Sequence, residues 1–298
     1  MPVPLLPPLP YTTSPVRSMW VAAADVAPDV LAGDVVAHLV EMVRARRVTE
    51  VFLEAPHDLP AHVAWACRYL RIRRTYVAAL GGEASWLEQG PTTADGGAPP
   101  AEDHPAARWV REALAAAPFH RVHLDLTPWT HPAWASERPR VWAGYLAALD
   151  AAHTAARGIP VDVDVPWWFA TETDGEVPLL DTVLDRVSRV TVLVDAIRAE
   201  GPFGILARTV PVAQLCDARR AAFTVGVAAG VSAVGQHDAE GGAAFFDDAA
   251  LEREAAIVRT MMRDSTSYRG FAVRDYRSWR GLLERGGARA SASATASF

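Results

Sequence analysis

The chain of 298 residues contains no lysine, so every cationic side chain other than histidine is an arginine. Schiff-base chemistry, of the aldolase or the pyridoxal-phosphate type, needs a lysine amine, and so does a phosphate-binding P-loop. Those enzyme classes are therefore excluded. Arginine binds carboxylates and phosphates through two parallel hydrogen bonds but is a poor proton acceptor.

Cysteine, positive charge and long apolar runs are also scarce. Cys67 and Cys216 are isolated in the sequence, and we expect both to be buried and reduced. No apolar run reaches the eighteen residues of a membrane span, so no membrane partner is predicted. The N-terminal MPVPLLPPLP is proline-rich without a basic region, which makes it a poor signal peptide and predicts a cytoplasmic protein. The net charge of −6 gives no reason to expect a nucleic-acid partner.

Two short β-type runs near the middle of the chain each have one polar face. They are residues 121–127 and 159–165, with a helical segment between them that makes a parallel βαβ unit. Parallel strands are normally covered on both faces and read as nearly continuous apolar runs. The polar face of each run therefore predicts the lumen or mouth of a barrel, and its residues are His123, Asp125 and Thr127 in the first run and Asp162 and Asp164 in the second.

Eight strand-like segments alternate with helical segments, which predicts an α/β fold with a single (β/α)8 barrel. We place the barrel at residues 18–285, after an irregular proline-rich arm at 1–17 and before a low-complexity tail at 286–298 that we expect to be disordered. Residues 87–106, rich in Gly, Pro and acidic residues, form either a lid or a disordered insertion. The competing fold, a doubly wound open sheet, would need a glycine-rich turn after an early strand, and Gly81-Gly82 alone is too weak a match to that motif.

Acidic residues follow most of the predicted strands, where the active site of this fold lies. Some could simply cap the next helix. His123, Asp125 and Asp162 precede their strand ends and share an inward parity, which favours a function. Crowded carboxylates raise one another's pKa, and a protonated acid beside an ionised one is what glycoside hydrolysis requires. The candidate catalytic residues are Asp125, Asp164, Glu54, His123 and Asp162.

Tryptophans and further polar residues just past strand ends are candidates for substrate binding. The indoles could form flat faces for sugar rings, although the same features could hold a cationic ligand. The candidate binding residues are Trp129, Trp167, Trp168, Asp25, Asp195, Arg274, Asp275 and Trp279. No cofactor and no metal ligand set is assigned, and the oligomeric state stays open.

Three stretches, VHLDLTPW, VDVDVPWWF and GFAVRDYRSWRGL, resemble a little-characterised group of bacterial (β/α)8 proteins related to glycoside hydrolases. The resemblance covers roughly residues 18–283 and implies the barrel fold. Typical members carry an Asp-x-Glu-Pro run after the fourth strand, a Glu after the seventh and a His before the Asp-Tyr of the eighth.

This sequence departs from that pattern at three places. Thr127 stands where the resemblance implies the general acid, Ala228 and Ala229 where it implies a carboxylate, and Arg274 where it implies the histidine. The resemblance therefore supports the fold more than it supports hydrolysis.

Four functions remain open. The first is a glycoside-hydrolase-like enzyme acting on a sugar-containing or polar small molecule through Asp125 with Asp164 or Glu54, with His123 tuning Asp125. The second is a non-hydrolytic lyase, isomerase or cyclase of specialised metabolism that uses His123, Asp125, Asp162 and Arg274. The third is a metal-dependent hydrolase, and the fourth is a catalytically silent sugar-binding descendant.

Overall fold

The computed structural model describes residues 15–27, 35–88, 101–230 and 245–295. Most of the predicted N-terminal arm and the centre of the predicted lid, residues 89–100, lie outside the described residues. The lid therefore stays a prediction.

Eight parallel strands close into a barrel, which confirms the predicted (β/α)8 fold. The barrel order around the ring is β1-β2-β3-β4-β5-β8-β9-β10, and a two-stranded antiparallel hairpin, β6-β7, lies outside it. The strands are β1 Val16–Val21, β2 Glu50–Glu54, β3 Tyr76–Gly81, β4 Arg121–Leu124, β5 Val161–Pro166, β6 Thr173–Asp174, β7 Val177–Pro178, β8 Arg189–Val194, β9 Ala222–Ala228 and β10 Tyr268–Arg274.

An α-helix follows each barrel strand and covers the outside of the barrel. The helices are α1 Val35–Ala45, α2 Ala61–Ile72, α3 Pro105–Ala116, α4 Arg138–Ala155, α5 Leu179–Leu184, α6 Ile205–Arg219, α7 Asp248–Met261 and α8 Tyr276–Thr295. Among the residues described, no helix combines the length and the apolarity that crossing a bilayer would require.

Helix α8 is assigned from Tyr276 to Thr295. Residues 296–298 lie outside the description.

Most of the apolar core lies between the barrel and its helices, because the outward side chains of the strands are apolar and fully buried. Both cysteines are buried there without a disulfide, as expected from their isolation. A second, smaller apolar cluster lies inside the barrel around Trp20, Phe52 and Leu193. The lumen therefore has an apolar middle, and its polar residues lie below and above that cluster.

The floor of the lumen, at the N-terminal ends of the strands, is a buried ion cluster. Arg189 Nη2 lies 2.8 Å from Glu50 Oε2 and 2.7 Å from Asp162 Oδ2, and Arg121 Nη1 lies 2.7 Å from both Asp162 oxygens. Ser18 Oγ donates to Glu50 at 2.7 Å. Since β2 and β8 are not neighbours in the ring, the Glu50–Arg189 pair spans the lumen. Two carboxylates and two guanidinium groups balance in charge, which is the condition for burying ions at a tolerable cost.

Candidate functional site

The mouth of the barrel contains an ion pair between the ends of two opposite strands. Asp125 directly follows β4, Arg274 is the last residue of β10, and Arg274 Nη2 lies 2.5 Å from Asp125 Oδ2. The two strands are not neighbours, so the pair bridges the open end of the lumen. Each side chain keeps 24% of its surface exposed, so a ligand can reach both.

Polar atoms around this pair are left without a protein partner. Asp125 Oδ1, Arg274 Nη1 and the indole Nε1 of Trp129 are buried and make no hydrogen bond to any described residue. Leaving such an atom unsatisfied costs about 1–3 kcal/mol, and unsatisfied groups of this kind are filled by water or a ligand. One acceptor and two donors at the mouth therefore form a potential polar binding site.

Below the mouth, His123 and Asp164 form a fully buried dyad inside the barrel. His123 Nε2 lies 2.8 Å from Asp164 Oδ1, and Trp20 Nε1 donates to Asp164 Oδ2 at 3.3 Å. The imidazole stacks on Phe52 with ring centroids 3.8 Å apart, which fixes its orientation. An ionised carboxylate can only accept, so His123 Nε2 is the donor to an ionised Asp164, and Nδ1 is then an acceptor in the neutral imidazole and a donor in the imidazolium. That Nδ1 is buried and makes no hydrogen bond within the described part of the chain.

The surroundings of Asp125 raise its pKa to about 6. Burial is the largest cause, because it disfavours the charged carboxylate, and the negative charge of Asp164 acts in the same direction. The positive charge of Arg274, and less so His123, opposes both effects. A carboxyl with this pKa is partly protonated near neutral pH, which suits a general acid or base.

Three of the predicted acidic residues lie near strand ends, and their carboxylates accept hydrogen bonds from nearby groups. Glu54 is exposed and accepts a hydrogen bond at 2.8 Å from the backbone N–H of Ala23. Asp25 is buried, accepts from the N–H of Ala22 at 3.0 Å and pairs with Arg277. Asp275, with φ of 72°, accepts from the N–H of Arg277 and the hydroxyl of Ser278, so it stabilises the first turn of α8.

Asp195 follows β8 and is half-buried, and Arg208 donates to its backbone carbonyl at 2.7 Å. Glu54 and Asp195 keep carboxylates near the rim and can still contribute to binding. Helix capping accounts for Asp25 and Asp275, as the alternative interpretation of these residues expected.

Three predicted tryptophans follow β4 and β5, but their exposure differs. Trp129 packs against the cluster inside the barrel and meets Trp168 edge to face, with centroids 6.1 Å apart. Trp168 is buried, and Arg208 lies over the ring of the partly buried Trp167 at 5.3 Å. Trp129 is therefore the indole placed to contact a ligand at Asp125, while Trp168 supports it from behind.

Two predicted site residues lie away from the mouth. Asp162 belongs to the floor cluster, where Arg121 and Arg189 hold its fully buried carboxylate. Its inward parity was predicted correctly, but it lies at the opposite end of the lumen from the mouth. Trp279 is fully buried in α8 and donates from Nε1 to Asp248 at 2.8 Å, so its role is packing rather than substrate binding.

Sequence reasoning missed three residues of the lumen. Trp20 was not among the candidate residues, but its indole donates to Asp164, while Arg121 and Arg189 complete the floor cluster. The arginines were detectable, because each is the first residue of its strand and has the same inward parity as a polar residue two positions later, His123 in β4 and Thr191 in β8. No pattern in β1 separates Trp20 from an ordinary core residue.

The metal-dependent alternative has no ligand set in the part of the chain that the structure describes. No group of three or more His, Cys, Asp or Glu side chains there converges on one point. Asp125 is paired with Arg274, His123 with Asp164, and Asp162 with Arg121 and Arg189, so these side chains are already bound to protein groups.

Comparison with known proteins supports the fold. No family model and no curated protein sequence matches the chain. Among solved structures, a chitinase from Chromobacterium violaceum aligns with a TM-score of 0.54 at 13% identity, covering 92% of this chain and 99% of that one. Domain 2 of a Pyrococcus furiosus chitinase gives a TM-score of 0.55 at 13% identity, with 91% and 85% covered.

A GH113 β-1,4-mannanase gives a TM-score of 0.53 at 8% identity, with 89% of this chain and 88% of that one covered. At such identities the likeness concerns the barrel fold alone. What the chain shares with these glycoside hydrolases is therefore a TIM-barrel architecture along most of its length.

Proposed function

We propose that this chain is a glycoside-hydrolase-like barrel enzyme that acts on a sugar-containing or polar small molecule, with Asp125 as its proton-transferring group. One observation carries the proposal: the Asp125 carboxyl lies at the mouth with a raised pKa, and one of its oxygens and a guanidinium nitrogen of Arg274 have no hydrogen-bond partner among the described residues. The folds of the neighbours, which include chitinases and a mannanase, are consistent with it.

Each residue of the mouth has a role in this proposal. Asp125 in its protonated form donates to a leaving oxygen, and the ionised form accepts a proton in the reverse sense. Arg274 holds Asp125 in place through Oδ2 and offers Nη1 to an acceptor on the substrate. Trp129 provides an apolar ring edge and an N–H donor, a combination suited to a sugar ring with its hydroxyl groups. His123 and Asp164 lie beneath and set the electrostatic field at Asp125.

Asp125→Asn tests the assignment, because asparagine keeps the shape and the acceptor oxygen but cannot transfer the proton. We expect turnover to fall about 10²–10⁴-fold, the usual contribution of a general acid, while ligand affinity changes little. The substrates are chito- and manno-oligosaccharides and their aryl glycosides, with products followed by mass spectrometry. Asp264→Asn, at a carboxylate that is 87% exposed, is the matched control and should turn over like the wild type. Undiminished turnover in Asp125→Asn would remove Asp125 from the mechanism.

A non-hydrolytic reaction is the second candidate, and the state of Asp164 favours it. Hydrolysis by two carboxylates requires both to face the substrate at a defined spacing. Asp164 is fully buried and bound to both His123 and Trp20, so Asp125 is left as the one acid of the pair at the mouth. A lyase, isomerase or cyclase needs only one such group. The product mass decides between the two, since hydrolysis adds one water and the alternative reactions add none.

A further inference from the structure

Helix α2 differs in charge from every other helix of the described part. It has no acidic residue, whereas each of the seven other α-helices has at least one. The acid-free stretch runs from residue 59 to residue 82 in a chain with a net charge of −6, and it includes Arg68, Arg71, Arg73 and Arg74.

The outward side of α2 also exposes large apolar side chains. Trp65 is 47% exposed and Ile72 is 76% exposed, and their spacing of seven residues places them on one side of the helix. Trp65 stacks on Tyr69 with centroids 5.0 Å apart, and Arg73 donates to the Tyr69 hydroxyl at 3.1 Å and lies over its ring. We refer to Trp65, Arg68, Tyr69, Ile72 and Arg73 as the α2 face.

Exposed arginines extend the positive charge around the C-terminal end of α2. Arg44, Arg47, Arg68 and Arg74 are exposed and form no ion pair with any described residue. Two arginines close by differ, because Arg46 pairs with Asp248 and Arg71 donates to the carbonyl of Pro118. As far as the described residues extend, these four guanidinium groups are available to an external anion.

The fold brings these arginines to one edge of the barrel. Arg47 and Arg74 occupy left-handed positions, with φ of 51° and 63°, in the turns that precede β2 and β3. Those strands are neighbours, and the N–H of Tyr76 donates to the carbonyl of Thr49 at 2.9 Å, so the two turns lie side by side. Trp65 and Ile72 extend the same surface along α2.

We propose that the α2 face and the adjoining arginines bind the surface of a membrane that contains anionic lipids. Arginines that form no internal ion pair are attracted to anionic headgroups, and tryptophan and tyrosine favour the interface between headgroup and hydrocarbon. The aliphatic Ile72 and the edge of Trp65 enter the boundary of the acyl chains, as in other peripheral contacts. This is a surface contact and requires no membrane-spanning segment.

The apolar residues favour lipid over a nucleic acid. A single strand would bind by stacking bases on open aromatic faces. Here Trp65 and Tyr69 stack on each other and Arg73 covers Tyr69, so part of both ring faces is occupied. Ile72, the most exposed of the apolar residues of α2, has no role in base stacking but gains from leaving water.

The contact is compatible with an active mouth. The C-terminal end of α2 lies at the N-terminal end of the strands, opposite Asp125 and Arg274. A protein bound through this edge keeps its mouth in the aqueous phase, so the proposal is independent of the reaction.

The test is co-sedimentation of the full chain with sucrose-loaded vesicles of phosphatidylcholine alone or with 30% phosphatidylglycerol. We expect binding to the anionic vesicles in 50 mM NaCl, and binding at least tenfold weaker to neutral vesicles or in 500 mM NaCl. Each interfacial arginine contributes about 1 kcal/mol, roughly a fivefold change in affinity. The variant Arg44→Gln/Arg47→Gln/Arg68→Gln/Arg74→Gln should therefore bind at least tenfold more weakly.

A matched control uses Arg157 and Arg220, which are also exposed arginines in left-handed turns before strands but lie under other helices. Arg157→Gln/Arg220→Gln should bind anionic vesicles like the wild type. Trp65→Ser/Ile72→Ser should bind at least threefold more weakly with an unchanged circular dichroism spectrum.

Absence of wild-type binding to anionic vesicles would overturn the proposal. So would an equal loss in the control variant, or undiminished binding by Trp65→Ser/Ile72→Ser. Preferential binding of a single-stranded oligonucleotide that displaces the vesicles would assign the face to a nucleic acid instead.

Discussion

Replacing Asp162 with asparagine separates a structural role from a catalytic one. Asp162 has the inward parity of a catalytic residue, but its carboxylate is fully buried between Arg121 and Arg189. Asparagine keeps the size of the side chain and removes its charge. Two guanidinium groups would then share the single carboxylate of Glu50 in a water-excluded lumen.

The magnitude follows from the loss of one partner in a buried ion pair, which typically costs about 3–5 kcal/mol. For a chain of this size each kcal/mol corresponds to about 2 °C in Tm. We therefore expect Asp162→Asn to unfold about 6–10 °C below the wild type. Asp150→Asn is the matched control, since Asp150 pairs with Arg186 while 56% exposed and such pairs contribute about 1 kcal/mol or less.

The pH dependence gives a second readout. Burial alone would raise the pKa of Asp162, but the charges of Arg189 and Arg121 outweigh it and hold the pKa below its usual value. A depressed pKa stabilises the fold above the unfolded value of about 3.9, and this stabilisation is lost as the pH falls through the folded pKa. The difference in unfolding free energy between wild type and Asp162→Asn should be constant above about pH 5 and shrink below about pH 4.

Urea unfolding followed by far-UV circular dichroism between pH 3 and pH 8 measures both effects. A structural role predicts a large loss of stability and unchanged activity per folded molecule. An Asp162→Asn variant with wild-type stability and no turnover would refute the reasoning and return Asp162 to the catalytic residues.

Two further predictions concern the mouth and the packing of a helix. The positive charge of Arg274 lowers the pKa of Asp125, which burial alone would raise further. Arg274→Gln should therefore move the alkaline limb of the pH–rate profile, near pH 6 in the wild type, to higher pH. An unshifted limb would show that another group titrates. A Cβ at Gly144 would lie 2.0 Å from the backbone carbonyl oxygen of Leu87, in the turn after β3. Gly144→Ala should therefore disturb the contact of α4 with that turn and lower the free energy of unfolding in urea by about 1–3 kcal/mol. Wild-type stability of the variant would contradict the close approach.

The fold was predictable from the sequence because the barrel repeats one unit. Alternation of strand and helix over a chain of 298 residues leaves few architectures, and the acidic strand ends indicate the edge at which this fold places an active site. The polar faces of β4 and β5 correctly identified lumen residues, as His123, Asp125 and Asp164 show.

The depth at which a side chain lies along the barrel axis was harder to predict than whether it points into the lumen. Asp162 and Asp164 lie two residues apart on one face, yet one belongs to the floor cluster and the other to the dyad with His123. The difference arises from Arg121 and Arg189, which reach Asp162 only after the barrel closes. Trp279 was misplaced for a related reason, since a residue after the last strand can turn into the helix core as easily as toward the mouth.

The ion cluster at the floor also constrains how the barrel can assemble. Glu50 and Arg121 come from the first half of the chain, and Asp162 and Arg189 come from the second, with 139 residues between Glu50 and Arg189. A half-barrel that folds alone keeps one ion pair, Glu50 with Arg121 in the first half or Asp162 with Arg189 in the second, but it loses the pairs that join the halves. Those pairs are Arg121 with Asp162 and Glu50 with Arg189. Because each half lacks these contacts, β1 to β4 should become protected from hydrogen exchange together with β5 to β10 rather than before them.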